Sequence, residues 1–140
     1  MEPAAIFQIV NPMVLPGWAL LLLAPGWRWT QRITAVLIPL LLACVYLVTV
    51  SIALSSGGEG NFNSLAGVAA LFRNPMALLA GWIHYLAFDL FIGSWEVRDS
   101  RSRGISHWFV APCLVLTFLL GPIGLLLYFA VRRSADVMAH

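Results

Sequence analysis

The run from Gly81 to Asp99, GWIHYLAFDLFIGSWEVRD, sets His84, Tyr85, Asp89, Glu96 and Asp99 among apolar neighbours. An imidazole and a carboxyl are common partners in general acid–base catalysis, one giving a proton while the other removes one. Spacing restricts how this pair could cooperate. On a helix, five residues separate His84 from Asp89 by about 140° in rotation and ~7.5 Å in rise. A straight helix cannot turn both onto one metal ion, as the i, i+4 histidines of H-E-x-x-H do. Tyr85 and Asp89 are four apart and share a face, with Trp82, Ile92 and Glu96 close to it in angle. His84 lines up instead with Phe88, Phe91 and Trp95.

Each of these positions also has a structural reading. Asp89 could be a protonated carboxyl bonded to another helix, with a neutral His84 doing the same. If the helix spans Pro75 to Val97, both lie within about 3–4 Å of its midpoint. An aspartate there costs about 2.5–3.5 kcal/mol to insert, and such residues generally face a bundle interior and mark a functional path. Glu96, nearer the helix end, could reach headgroups or arginines. Asn11 is placed to donate from the first span to the third. Trp18 and Trp82 could stack on a flat apolar ligand or simply pack. Thr49, Ser51 and Thr117 are expected to bond their own helix backbone.

The elements that must position these groups follow from composition. Of 140 residues, 61% are hydrophobic and 10% charged, whereas a soluble domain carries about 25% charged residues. The chain reads as a single integral membrane domain over residues 1–140. Its eight basic residues are all arginine and its net charge is +2, which gives no basic patch for nucleic acid. No phosphate loop, zinc pattern or nucleophile elbow is present. His84, His107 and His140 are too few ligands for a metal or haem, so no metal or cofactor is expected. Cys44 and Cys113 fall in apolar runs and read as small buried apolar residues, not a disulfide. The N-terminus opens with Glu2 and lacks a basic leader, so it reads as a retained first span without a transit peptide.

A crossing helix needs roughly 20 apolar residues. Four stretches qualify: Ala5–Ala24, Ile33–Leu54, Pro75–Val97 and Ser106–Val131. PGWRWTQR forms a tight turn between the first two. After the flexible SSGGEGNFN, Ser64 caps a short helix that presents Leu65, Val68 and Phe72 on one side and lies on the membrane surface. Asn74 and Pro75 provide an N-cap and first residue for the third span. Ser106 is placed to cap the fourth, which contains Pro112 and a kink at Gly121-Pro122-x-Gly124. The expected fold is thus an all-α membrane protein with four transmembrane helices and a short interfacial helix before the third. Arg28, Arg32, Arg98, Arg101 and Arg103 then share one side with Trp27, Trp29, Trp95 and Trp108, while Arg73, Arg132 and Arg133 occupy the other. The positive-inside rule puts both termini outside the cytoplasm.

The string Trp82-Ile83-His84-x-Leu86-x-x-Asp89-Leu90-Phe91, with Asp99 ten positions after Asp89, resembles the neoxanthin synthase-like (abscisic-acid-deficient-four-like) family. GVAALF before the third span and Pro122-Ile123-Gly124 extend the likeness, and NPMVLPGW matches less specifically. The resemblance implies a multi-pass protein of a plastid-type membrane or, in bacteria, the inner membrane. Plant members are required to convert violaxanthin into neoxanthin. It also implies cofactor-free isomerisation, in which an acid protonates an epoxide oxygen and a base removes a proton to leave an allene. Carried over by position, His84 and Asp89 become the acid–base candidates and Asp99 a supporting residue at the interface. The expected function is a membrane-embedded isomerase of a carotenoid or other isoprenoid lipid. Its candidate binding residues are Asn11, Trp18, Trp82, Tyr85 and Asp99. The alternative is a non-catalytic carotenoid- or lipid-binding module, or an accessory subunit of a membrane complex, with His84 and Asp89 as interhelical glue. A small proton-coupled transporter is a third reading and would need oligomers. Expected partners are the bilayer, a carotenoid or isoprenoid ligand and further copies of the chain.

Overall fold

The computed structural model describes residues 2–57 and 59–138; His140 lies outside them. Their regular elements are all helices: α1 (Pro3–Leu23), α2 (Thr30–Ser55), α3 (Leu65–Leu71), α4 (Pro75–Ser102), α5 (His107–Leu120) and α6 (Pro122–Met138). α1, α2 and α4 are long and apolar enough to cross a membrane.

Prolines shape the first two. α1 breaks its regularity at Val14, between Pro12 and Pro16, because a proline supplies no N–H and crowds the carbonyl four residues back. α2 widens into a π-helical turn over Ile33–Leu37 just before Pro39, for the same reason. α3 forms as expected, with the Ser64 hydroxyl accepting from Gly67 N at 3.0 Å. Asn74 caps α4 by accepting from Met76 N at 2.9 Å, and Pro75 occupies the first helical position. α4 continues past Val97 to Ser102.

α4 is the centre of the bundle. Ile83, Leu90 and Val97, seven residues apart, are fully buried, and the helix packs against α1, α2, α5 and α6. The outer faces are apolar: Leu23, Phe88 and Leu126 are all exposed. So broad an exposed apolar surface marks a membrane contact.

The expected fourth span corrects to two helices folded back on each other. Gly121 adopts φ +41° and ψ −93°, and Pro122 starts α6 in a new direction. A Cβ on Gly124 would overlap the backbone of Thr117. That overlap is impossible for residues seven apart on one continuous helix, which would be ~10 Å apart in rise. α5 descends along α4 from His107, its tip reaching Asp89 at Gly121. α6 then returns, bringing Tyr128 and Arg132 to Asp99 and Asp136 to Arg103. With 14 residues, α5 is ~21 Å long, well short of the ~30 Å hydrocarbon layer. The hairpin therefore covers about half the length of α4.

Folding back relocates the C-terminus. Arg132 and Arg133 join the end that holds Arg98, Arg101 and Arg103. The α1–α2 turn is there too, since a Cβ on Gly26 would sit 3.0 Å from the Arg101 guanidinium. Arg73 alone is at the opposite end.

Gly124→Ala is expected to abolish the hairpin, because its new methyl would meet fixed backbone. Gly104→Ala, in open space at φ +67°, should lose only the backbone term of about 1–2 kcal/mol. Thermal unfolding of both variants in detergent checks the contrast.

Candidate functional site

One face of α4 looks onto the hairpin, and it carries Asp89, Glu96 and Asp99. The three carboxyls differ in how far they are satisfied. Asp99, at the arginine-rich end, accepts from the Tyr128 hydroxyl at 2.6 Å and pairs with Arg103 at 3.0 Å and Arg132 at 3.3 Å. Arg103 also reaches Asp136 at 3.0 Å. This network ties α6 to α4, so the structure gives Asp99 a holding position at the end of the bundle.

Glu96 is fully buried, not extended to headgroups or arginines. The Thr117 hydroxyl on α5 donates to its Oε1 at 3.0 Å and lies 3.2 Å from its Oε2. Thr117 is expected to bond its own helix; its hydroxyl turns instead to the Glu96 carboxyl on α4. Thr49 and Ser51 do bond their own backbone.

Asp89 is half-buried. Its Oδ2 is inaccessible and has no hydrogen-bond partner. Both carboxyl oxygens lie 3.1 Å from where a Cβ on Gly121 would be, so the absence of a side chain at the hairpin tip is what leaves room for them. Tyr85, one turn earlier, has its hydroxyl beside this carboxyl and donates to the Phe118 carbonyl at 3.1 Å. That carbonyl belongs to the last turn of α5, where no intrahelical donor is available.

Below the hairpin tip the same side of α4 is bordered by α1. Trp82 donates through Nε1 to Asn11 Oδ1 at 3.0 Å, so Asn11 joins the two helices as acceptor and not as the expected donor. Trp82 also stacks near Tyr85, with ring centres 5.2 Å apart. An apolar groove of about 330 Å³ runs beside it, lined by Pro3, Phe7, Leu78 and Trp82 among others. Trp18 is only 5% exposed, packed on Gly93 and 5.4 Å from Phe118. It is core, with no free face for a ligand.

His84 lies elsewhere. It is exposed on the α2 side, stacked on Phe88 at 4.5 Å and 5.8 Å from Tyr46. It lines a separate groove of about 320 Å³ with Tyr46, Phe62 and Phe72. The structure thus brings together Tyr85, Asp89 and the hairpin tip, and keeps His84 apart from them.

His107 lies 2.9 Å from the Leu22 carbonyl, pinning the start of α5 to α1. Among the described residues no three His, Cys, Asp or Glu converge. Cys113 is buried as expected, but Cys44 is exposed on the outside of α2, where an apolar solvent removes the need to bury it. Two features escaped the sequence reading: the Glu96–Thr117 contact and the closeness of Gly121 to Asp89. The seven-residue spacing of the two carboxyls together with G-P-x-G was the available signal.

A profile described as ABA DEFICIENT 4-like matches residues 5–128 of this chain. The chain is also 25% identical to Protein ABA DEFICIENT 4, chloroplastic, from Arabidopsis thaliana, over 92% of this chain and 61% of that relative. It therefore spans about three-fifths of the relative's length. No solved structure matches.

Thr117→Val should strip Glu96 of its donor and destabilise the protein by about 1–3 kcal/mol. Adding Glu96→Leu should recover part of that loss. Chemical denaturation of the two single variants and the double variant reads the coupling.

Proposed function

The chain belongs to the ABA DEFICIENT 4-like family, and from that membership we propose that it works on a carotenoid or related isoprenoid lipid inside the bilayer. The chemistry we assign is cofactor-free isomerisation of the epoxide-to-allene type, with Asp89 as the proton-handling group. One observation carries this reading: Asp89 Oδ2 is enclosed without a partner beside the hairpin tip. An orphaned buried polar atom costs about 1–3 kcal/mol, and such exceptions call for a functional reason.

One carboxyl can serve both halves of the reaction. Protonated Asp89 gives its proton to the epoxide oxygen as the ring C–O bond breaks, leaving a hydroxyl. The resulting carboxylate then takes a proton from the neighbouring chain carbon, and that C–H electron pair becomes the second double bond of the allene. Asp89 ends protonated again, so nothing is consumed. Tyr85 orders the approach, and the groove beside Trp82 receives apolar chain. His84, on another face, touches only a distant part of a long ligand.

A second reading is favoured by the exposed stack of His84 and Phe88 over its own apolar groove. There the protein would hold a carotenoid or serve as an accessory subunit without catalysis.

For the membrane arrangement we assign three crossings, α1, α2 and α4, with α5 and α6 as a re-entrant hairpin enclosed by protein. The arginine-rich end then faces the cytoplasm, or its plastid counterpart. In this arrangement the N-terminus is on the opposite side and the C-terminus on the arginine-rich side.

Two experiments test these assignments. Co-expression with carotenoid pathways that make epoxides should yield a new isomer by chromatography and mass spectrometry. Asp89→Asn at matched abundance should lower its formation by roughly 10²–10⁴-fold. Undiminished product in that variant sinks the catalytic assignment, and copurifying pigment without product favours the binding reading. For topology, cysteines placed at Asp136 and at Gly104 should label from the same face of sealed vesicles; labelling from opposite faces restores a fourth crossing.

A further inference from the structure

Two cations share one indole at the arginine-rich end. The guanidinium carbons of Arg28 and Arg32 lie 5.1 Å and 5.0 Å from the centre of the Trp29 ring. Among the described residues neither pairs with a carboxylate; Asp99 and Asp136 are engaged by Arg103 and Arg132. The ring face attracts each cation, but among the described residues no carboxylate offsets their mutual repulsion. The segment that carries them is firmly held. The Thr30 hydroxyl donates to the Ala24 carbonyl at 2.7 Å. Gln31 donates to the Ser94 carbonyl at 3.1 Å and accepts from the Ser94 hydroxyl at 2.9 Å.

Arg28, Trp29 and Arg32 line an open cleft of about 320 Å³. A second groove, of about 490 Å³, shares Arg32 and continues down the outer face of α2 past Val36 and Leu40 to Cys44. Val36 and Leu40 are more than half exposed there. The distance along the helix from Arg32 to Cys44 is ~18 Å, close to the depth of one leaflet of a ~30 Å hydrocarbon core. A cationic head pocket with no paired carboxylate among the described residues thus adjoins, through Arg32, an apolar channel about one leaflet deep.

We propose that this composite surface is a binding site for an anionic phospholipid. Its phosphate bridges Arg28 and Arg32, whose planar guanidinium groups suit phosphate oxygens, and one acyl chain lies along α2. A free phosphate ion would satisfy the cations but leave the groove empty, whereas a zwitterionic lipid would bring a cationic group against them.

Native mass spectrometry of the full-length protein, released from nanodiscs of equal phosphatidylglycerol and phosphatidylcholine with identical chains, tests this. Phosphatidylglycerol should be retained in preference. Arg28→Gln with Arg32→Gln should weaken that retention roughly 30-fold, and either change alone roughly fivefold. Arg73→Gln, at the other end, should leave it unchanged. Equal retention of both lipids by the unaltered protein overturns the proposal. So does full displacement of the lipid by millimolar inorganic phosphate, which would mark a site for free anions. The lipid competition needs no variant, so it stands even if the glutamine variants fail to fold.

Discussion

A chain that reverses direction within hydrocarbon must satisfy the polar groups of its turn on protein, because lipid tails offer no partners. At the α5–α6 reversal three backbone groups have protein partners of this kind. Gly121 N donates to the Thr117 carbonyl at 2.9 Å, and the Gly121 carbonyl accepts from Leu125 N at 3.2 Å. Tyr85 covers the Phe118 carbonyl. α4 supplies the wall on which this turn rests. Tyr85 and Asp89 are the polar groups of α4 that meet this bend.

The carboxyls on that face form a graded series. Asp99 Oδ2 is engaged by two arginines and a tyrosine, Glu96 has a single hydroxyl, and Asp89 Oδ2 has no donor among the described residues. The first already has three partners, two of them cationic. The last has bonding capacity in reserve. Structural and chemical roles are therefore divided along one helix by neighbours, not by residue type. Asp99 and Asp89 are the same amino acid in opposite circumstances.

Much of this was legible from residue order. Ser64 and Asn74 announced their caps, and the angular separation of His84 from Tyr85 and Asp89 is simple helix arithmetic that the fold preserves. The reversal between α5 and α6 was not legible. G-P-x-G fits a kink as well as a reversal, and only the contact of Gly124 with Thr117 distinguishes them. Because the C-terminal arginines follow that turn, misreading it divided the basic residues between two ends. Glu96 was misread for a related reason. Its position near a span's end suggested exposure, but α5, folded alongside, buries it.

The hairpin occupies only part of the bundle's height. At the arginine-rich end α5 and α6 stand beside α1, α2 and α4, each helix about 10 Å across, whereas the other end has the three long helices and little α3. The cross-section therefore tapers from one end to the other. A tapered body displaces unequal areas from the two lipid monolayers, so it sits with less elastic stress where the sheet bends toward its narrow end. Neighbouring copies packed side by side would splay like staves rather than stand parallel.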